Sequence, residues 1–250
     1  MAGLLRTPLQ DWLHRPHTDI VMRGNVFLLL WGLSAAALSA PHLHKEPVVM
    51  APGYSPLSFH PPEPGTYGLP PMGVARDGAV LDSQGRSATL HDYLGDKPTV
   101  LSFIFTTCDD VNGCPLATYV MRSVQDALQA DPDTADKARL VSFSFDPIFD
   151  TPDVIDAYGS QFRADNFDWQ FLTTAGAESL DPILSAYGQW IIRDYDDNGD
   201  YMGTMSHILR VFLIDKNRNI RNIYSTSFLH ADTVANDIRS LLLEDEAALP

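Results

Sequence analysis

Thr99-Val-Leu-Ser-Phe-Ile-Phe105, followed at once by Thr106-Thr-Cys-Asp-Asp-Val-Asn-Gly-Cys-Pro115, is the stretch from which the fold is read. Its first seven residues are nearly all apolar or β-branched, the pattern of a strand covered on both faces. Pro115 suits the first turn of a helix, where its missing N–H has no partner to lose, and Leu116, Val120, Val124 and Leu128 then recur at helical spacing. Cys108 and Cys114, the only cysteines of the chain, lie between these two elements. Cys114 therefore falls at or near the N-cap. Unpaired N–H groups and the positive end of the helix dipole favour a thiolate there, which predicts a lowered thiol pKa and a sulfur that serves as nucleophile or soft metal ligand.

A structural disulfide is the plain alternative for two cysteines of an exported protein. Cysteines this close in sequence close a very small loop, so a bridge removes little denatured-state entropy. A strand, a loop, a cysteine and a helix in that order are instead how thioredoxin-like proteins present a redox or metal-binding sulfur.

Working outward, 80–86 reads as a strand and turn and 90–94 as a helical turn. The run at 139–145 reads as a second core strand, and Thr151 caps a helix to about Phe162. A third strand is expected at 167–172 and a helix at 179–188. Two apolar runs, 208–214 and 220–224, flank Asp215-Lys-Asn-Arg-Asn219 as a hairpin, and 231–243 closes the chain as an amphipathic helix. The order implies an α/β sandwich around a central mixed sheet flanked by helices, compatible with a thioredoxin-like fold.

The formal charge of −15 argues against nucleic acid as a partner, because phosphate binding relies on Lys and Arg. Residues 26–40 form an uncharged apolar run behind Arg6, Arg15 and Arg23. It reads as an export signal or as an uncleaved membrane anchor with its arginines inside. No cysteine follows it, so a lipoprotein anchor is not expected. Either form sends the rest of the chain to the periplasm or the extracytoplasmic face of the inner membrane, an oxidising compartment. Nine prolines between Pro41 and Pro71 mark an extended tether. The organisation expected is a signal or anchor at 1–40, a tether at 41–73 and one folded domain at 74–250. His42, His44, Met50, His60 and Met72 in the tether read as solvated side chains rather than copper collectors.

Asp194-Tyr-Asp-Asp-Asn-Gly-Asp200 matches the first half of a calcium loop, but Met205 stands where the closing glutamate belongs. An acidic hairpin tip is the better reading, with Met202 and Met205 as hairpin packing. Asp109 and Asp110 put negative charge beside the sulfurs, opposing thiolate formation and favouring a bound cation.

Together the segments resemble the Sco/SenC family of thioredoxin-like copper proteins, which help assemble the binuclear copper centre of cytochrome c oxidase. The blocks occur in order: Asp82-Ser-Gln-Gly-Arg86, Thr89-Leu-His-Asp-Tyr-Leu-Gly95, Phe103-Ile-Phe-Thr-Thr-Cys108, Cys114-Pro115, Ser144-Phe-Asp-Pro-Ile-Phe-Asp-Thr-Pro152 and Ala164-Asp-Asn-Phe-Asp-Trp-Gln-Phe-Leu172. His207 stands eight residues before Asp215, as the family histidine does. The resemblance implies that Cys108, Cys114 and His207 hold copper as Cu(I) or Cu(II), since thiolates are soft ligands and an imidazole suits the oxidised ion. It also implies a copper-bearing oxidase subunit as recipient, and a thioredoxin-like reductant or another copper chaperone as a further partner. One departure is plain: five residues separate the cysteines here, against three in the family's Cys-x3-Cys-Pro. The longer loop is expected to carry Cys108 away from Cys114 and His207. A thiol-disulfide oxidoreductase using Cys108 and Cys114 is the rival function, ahead of a peroxiredoxin, for which no activating arginine is recognisable. A binding module that keeps only the fold is the third class.

Overall fold

The computed structural model of the chain describes residues 57–248. The apolar run at 26–40 and residues 41–56 of the proline-rich segment, with His42, His44 and Met50, lie outside the described residues. Among the described residues no helix is long and apolar enough to cross a membrane.

The chain runs through β1 (Gly73–Val74), β2 (Ala79–Asp82), β3 (Ser87–Thr89), a 3-10 turn at Leu90–Tyr93, β4 (Thr99–Ile104), α1 (Cys114–Gln129) and β5 (Arg139–Ser144). It continues through α2 (Pro152–Gly159), β6 (Trp169–Thr173), α3 (Ala177–Ala186), β7 (Ile191–Tyr195), β8 (Tyr201–His207), β9 (Val211–Ile214), β10 (Asn219–Tyr224) and α4 (Ala231–Ala247). An eight-stranded sheet has the order β1-β10-β9-β4-β5-β6-β2-β3, and β7 and β8 form a separate two-stranded ribbon. β4 runs parallel to β5 and antiparallel to β9, with Thr99 opposite both Arg139 and Ile214. All six residues of β4 are buried, as its unbroken apolar run requires.

Alternation along the strands divides the core between the two faces of the sheet. Val100 and Leu140 pack with Leu116, Val120 and Val124 of α1 and with Val234 and Ile238 of α4. Leu101, Phe103 and Phe143 face the other way, toward Leu180 and Ile183 of α3. On that face the Phe103 ring meets Phe143, Tyr187 and Phe212 at centroid separations of 5.5, 5.4 and 5.9 Å.

Residues ahead of β1 already lie against the domain. Leu69 is in the core beside α4, and the Arg221 guanidinium donates to its carbonyl. The Tyr67 hydroxyl donates to Asp237 Oδ1 at 2.6 Å, and Asp237 Oδ2 accepts from Tyr224 at 2.6 Å and Asn222 at 2.8 Å.

Two element boundaries differ from the sequence reading in ways that matter. The strand expected at 208–214 begins only at Val211, because pairing of β7 with β8 extends as far as Ile191 opposite His207. His207 thus closes the ribbon, and the Arg210 guanidinium, donating to the Gly188 carbonyl at 2.5 Å, holds the connection that follows. In α1, Gly113 is the N-cap and Cys114 the first helical residue.

Replacing Phe103 by Ala leaves a cavity ringed by three aromatic side chains. The expected cost is about 3–5 kcal/mol, read as a lowered urea midpoint at unchanged slope.

Candidate metal and redox site

The loop that carries the first cysteine is pinned where it leaves β4. Asp150 is fully buried, accepts the Thr106 N–H on Oδ2 at 3.0 Å, and receives the Thr106 hydroxyl on Oδ1. The Ser144 hydroxyl at the end of β5 donates to the same Oδ2 at 2.5 Å. One carboxylate therefore joins the exits of two neighbouring parallel strands. Beyond it the Cys108 N–H donates to the Phe105 carbonyl at 3.3 Å. Asp110 folds the remainder of the loop: its carboxyl accepts the Asn112 N–H at 3.0 Å and its carbonyl the Gly113 N–H at 2.8 Å. A Cβ on Gly113 would stand 3.2 Å from the Asp110 carbonyl and 3.5 Å from Cys108 Sγ. The N-cap glycine thereby admits the loop, and its sulfur, close to the helix.

This folding brings Cys108 and Cys114 into hydrogen-bond contact, both as free thiols, Cys114 buried and Cys108 half-buried. The separation from Cys114 expected from the longer loop does not occur, because Asp110 turns the added residues back on themselves. The helix start acts on the opposite sulfur from the one anticipated. The Cys108 pKa is lowered to about 7 by the hydrogen bond from the Cys114 thiol, helped by the backbone N–H groups of Cys114 and Asp110, against burial and the Asp110 carboxylate. Cys114 is pushed well above the ordinary thiol range by donating that bond, by burial and by the Cys108 charge. A first-turn sulfur inside the core gains less from the helix dipole than it loses in hydration.

Both sulfurs line a cavity of about 210 Å3 walled by Phe105, Pro115, Tyr158 and Phe162. Tyr158 hydrogen-bonds Thr118 at 2.9 Å across it, and burial raises the phenol to about 12. The cavity is apolar and suits a soft ion or a neutral side chain more than an anion.

His207 lies at the end of β8 with its ring centroid 4.7 Å from that of Phe145, which in turn lies 5.2 Å from Phe105. Burial lowers its pKa, opposed by a hydrogen bond to the Phe103 backbone and by Asp110. Nε2 is buried without a hydrogen-bond partner. An unpartnered ring nitrogen is what a metal-binding imidazole offers. Among the described residues, however, no three His, Cys, Asp or Glu side chains are gathered closely enough to hold an ion. The two sulfurs are together and His207 remains apart from them.

The other residues that the sequence brought forward fall elsewhere. Asp196 caps its own turn, accepting the Asn198 and Asp200 N–H groups at 2.9 Å each, at the tip of the β7–β8 hairpin. Met205 packs in the core and Met202 is exposed. Asp150 carries no local signal of its role. Its neighbourhood in a Ser-Phe-Asp-Pro block shows no sign that it reaches Thr106, a contact across 44 residues of chain.

The sequence profile of the SCO1/SenC family matches residues 75–243. A Stutzerimonas stutzeri protein named for copper binding is 30% identical over 122 residues, 49% of this chain and 55% of that protein, so the chain spans about half the length of this curated relative. Arabidopsis thaliana ScoI, solved with copper bound, is similar at a TM-score of 0.58 and 19% identity over 68% of this chain and 99% of that one. Bradyrhizobium japonicum ScoI with copper bound gives 0.56 at 24% identity over 67% and 99%. BsSco, described as a member of the Sco family of cytochrome c oxidase assembly proteins with a disulfide switch, gives 0.53 at 21% identity over 69% and 95%. These likenesses confirm the thioredoxin-like α/β sandwich read from the sequence.

Alkylation by iodoacetamide should modify Cys108 first, its rate rising with pH through about 7. In Cys114→Ala the lost S–H donor moves that midpoint upward, toward an ordinary thiol. An unmoved midpoint means that Cys114 does not set the Cys108 pKa.

Proposed function

We propose that this chain, which belongs to the SCO1/SenC family, binds copper through Cys108, Cys114 and His207 and hands it on to a partner protein. The observation that carries the reading is a pair of adjacent free thiols together with a histidine whose Nε2 is buried and unpartnered. Two thiolates and an imidazole make a soft, three-coordinate donor set that suits Cu(I), with the imidazole able to serve Cu(II). Cys108 gives up its proton near neutrality. The Cys114 proton leaves only as the ion enters, so binding releases protons and weakens as pH falls. Because the donors are not gathered beforehand, the His207 bond forms on ion entry. An open, three-coordinate ion passes to an incoming donor by ligand exchange.

Delivery to the copper-bearing subunit of cytochrome c oxidase is the finer reading, supported by the oxidase-assembly role of the family to which the similar structure BsSco belongs. The apolar run at 26–40 behind three arginines supports an extracytoplasmic domain held near the membrane by a signal or anchor and a proline-rich tether.

A second reading is favoured by the contrast between the thiols and by the separation of His207 from them. As a thiol-disulfide oxidoreductase, Cys108 thiolate attacks a partner disulfide and releases one partner thiolate. Cys114, on losing its proton, then attacks Cys108 Sγ and releases the other. The partner gains two electrons and both cysteines end as a disulfide.

Copper stoichiometry and absorption of the reduced protein separate the readings. One copper per chain is expected, with a sulfur-to-Cu(II) charge-transfer band that vanishes in Cys108→Ala. His207→Ala should weaken copper binding by about tenfold or more while disulfide exchange persists. No retained copper, with a reversible Cys108–Cys114 disulfide, assigns the site to the second reading.

A further inference from the structure

The hairpin that carries His207 leaves an edge and a face uncovered. β7 pairs with β8 alone, in a two-stranded ribbon, so no strand of the described residues lies along its other edge. A cleft of about 390 Å3 lies between β7 and α3, walled by Leu180 and Leu184 of α3, by Ile148 of the turn after β5, and by Trp190, Ile191 and Arg193. Trp190 is 74% exposed, Ile148 71% and Ile192 67%, a concentration of large apolar side chains in water that marks an interaction surface.

Gln189, only 4% exposed, lines the same cleft, and its Oε1 has no hydrogen-bond partner. A buried acceptor without a donor is unfavourable, and an N–H supplied by a guest relieves it. The charge around the ribbon selects among guests. In the cleft wall Asp181 offsets Arg193, and beyond them Asp194, Asp196, Asp197 and Asp200 follow along the hairpin, in a chain that carries −15 overall. A second copy would bring like charge to the same edge, whereas a segment bearing Lys or Arg is attracted to it.

We propose that the free edge of β7 accepts an extended, lysine- or arginine-bearing segment of a partner protein as a third strand, with one apolar side chain seated between Ile148 and Trp190. Backbone pairing then supplies affinity and the cleft supplies selectivity, as in other strand additions. The docked strand lies close to the candidate site: Ile191 of β7 is the register partner of His207, and Phe145 both lines the cleft and packs against the imidazole. That the guest is a copper donor or acceptor rests on the copper reading above. The strand addition itself does not.

The probe is an acetylated, amidated heptapeptide of alternating lysine and valine, titrated into the full chain and followed by amide chemical shifts. Two control peptides carry N-methyl groups on alternate amides or glutamate in place of lysine. Shifts confined to 189–193 and to Ile148 are expected. N-methylation and Ile192→Lys should each weaken binding by about tenfold or more, the loss of several backbone hydrogen bonds or of the apolar face. The glutamate peptide should not bind. Unchanged β7 shifts, equal binding of the N-methylated peptide, or a dimer of the chain that Ile192→Lys dissociates would each overturn the proposal. Copper stoichiometry measured on the same samples tells the two readings apart. Peptide binding without copper sinks only the copper reading, and copper without peptide binding sinks only the strand addition.

Discussion

A strand buried on both faces must satisfy every backbone group through its neighbours, and β4 does so between β5 on one edge and β9 on the other. Its pairing with β9 ends at Ser102 and that with β5 at Ile104, and the chain can leave the sheet only beyond that point. The cysteine loop begins there because nowhere earlier is open. Asp150 makes the exit definite by tying Thr106 to the end of β5. The sulfurs owe their position to that carboxylate and the sheet beneath it, with the loop's own turn at Asp110 completing the approach.

The chemistry of the pair follows from an imbalance of donors. Cys108 Sγ receives an S–H and two backbone N–H groups, while Cys114 supplies two of those donors, its thiol and its own N–H, and is itself removed from water. Two like sulfurs thus acquire unlike roles: one is ready as a thiolate near neutrality and the other is held as a protonated reserve. The same contrast would serve either proposed role: metal capture, which would finally displace both protons, or disulfide exchange, in which one sulfur would attack and the other resolve. His207 differs in kind. Its buried, unpartnered Nε2 is an uncompensated group, on a ring that packs at a tilt against Phe145. Orphaned buried polar atoms in native folds are rare enough to carry information about function.

The ribbon of β7 and β8 is the element least constrained by the central sheet. Its inner face contributes Met205 and Ile191 to the core, while Trp190 and Ile192 remain in water. One surface therefore anchors His207 to the domain and the other remains available to a partner. In the copper reading proposed above, holding an ion and releasing it to another protein would draw on this adjacency of a buried donor and an open edge.

Much of this was legible in the residues. The unbroken apolar run at 99–105, the Cys114-Pro115 helix start and the alternation of strands and helices determined the α/β order, because burial on two faces and proline at a first turn each leave a local mark. Ordered motif blocks determined the family. The acidic hairpin was visible from its turn residues. What the sequence could not give was distance. Whether five intervening residues separate two sulfurs or fold them together depends on Asp110 capping its own loop and on Gly113 leaving room for Cys108. Which thiol ionises depends on burial that is decided by the packing of α1 against the sheet. The place of His207 depends on how far β7 and β8 continue to pair. Each of these is set by contacts between residues remote in the chain or by the depth to which a group is buried. Local pattern records the preferences of a segment, and only the tertiary structure decides which of its groups lose water and which neighbours they meet.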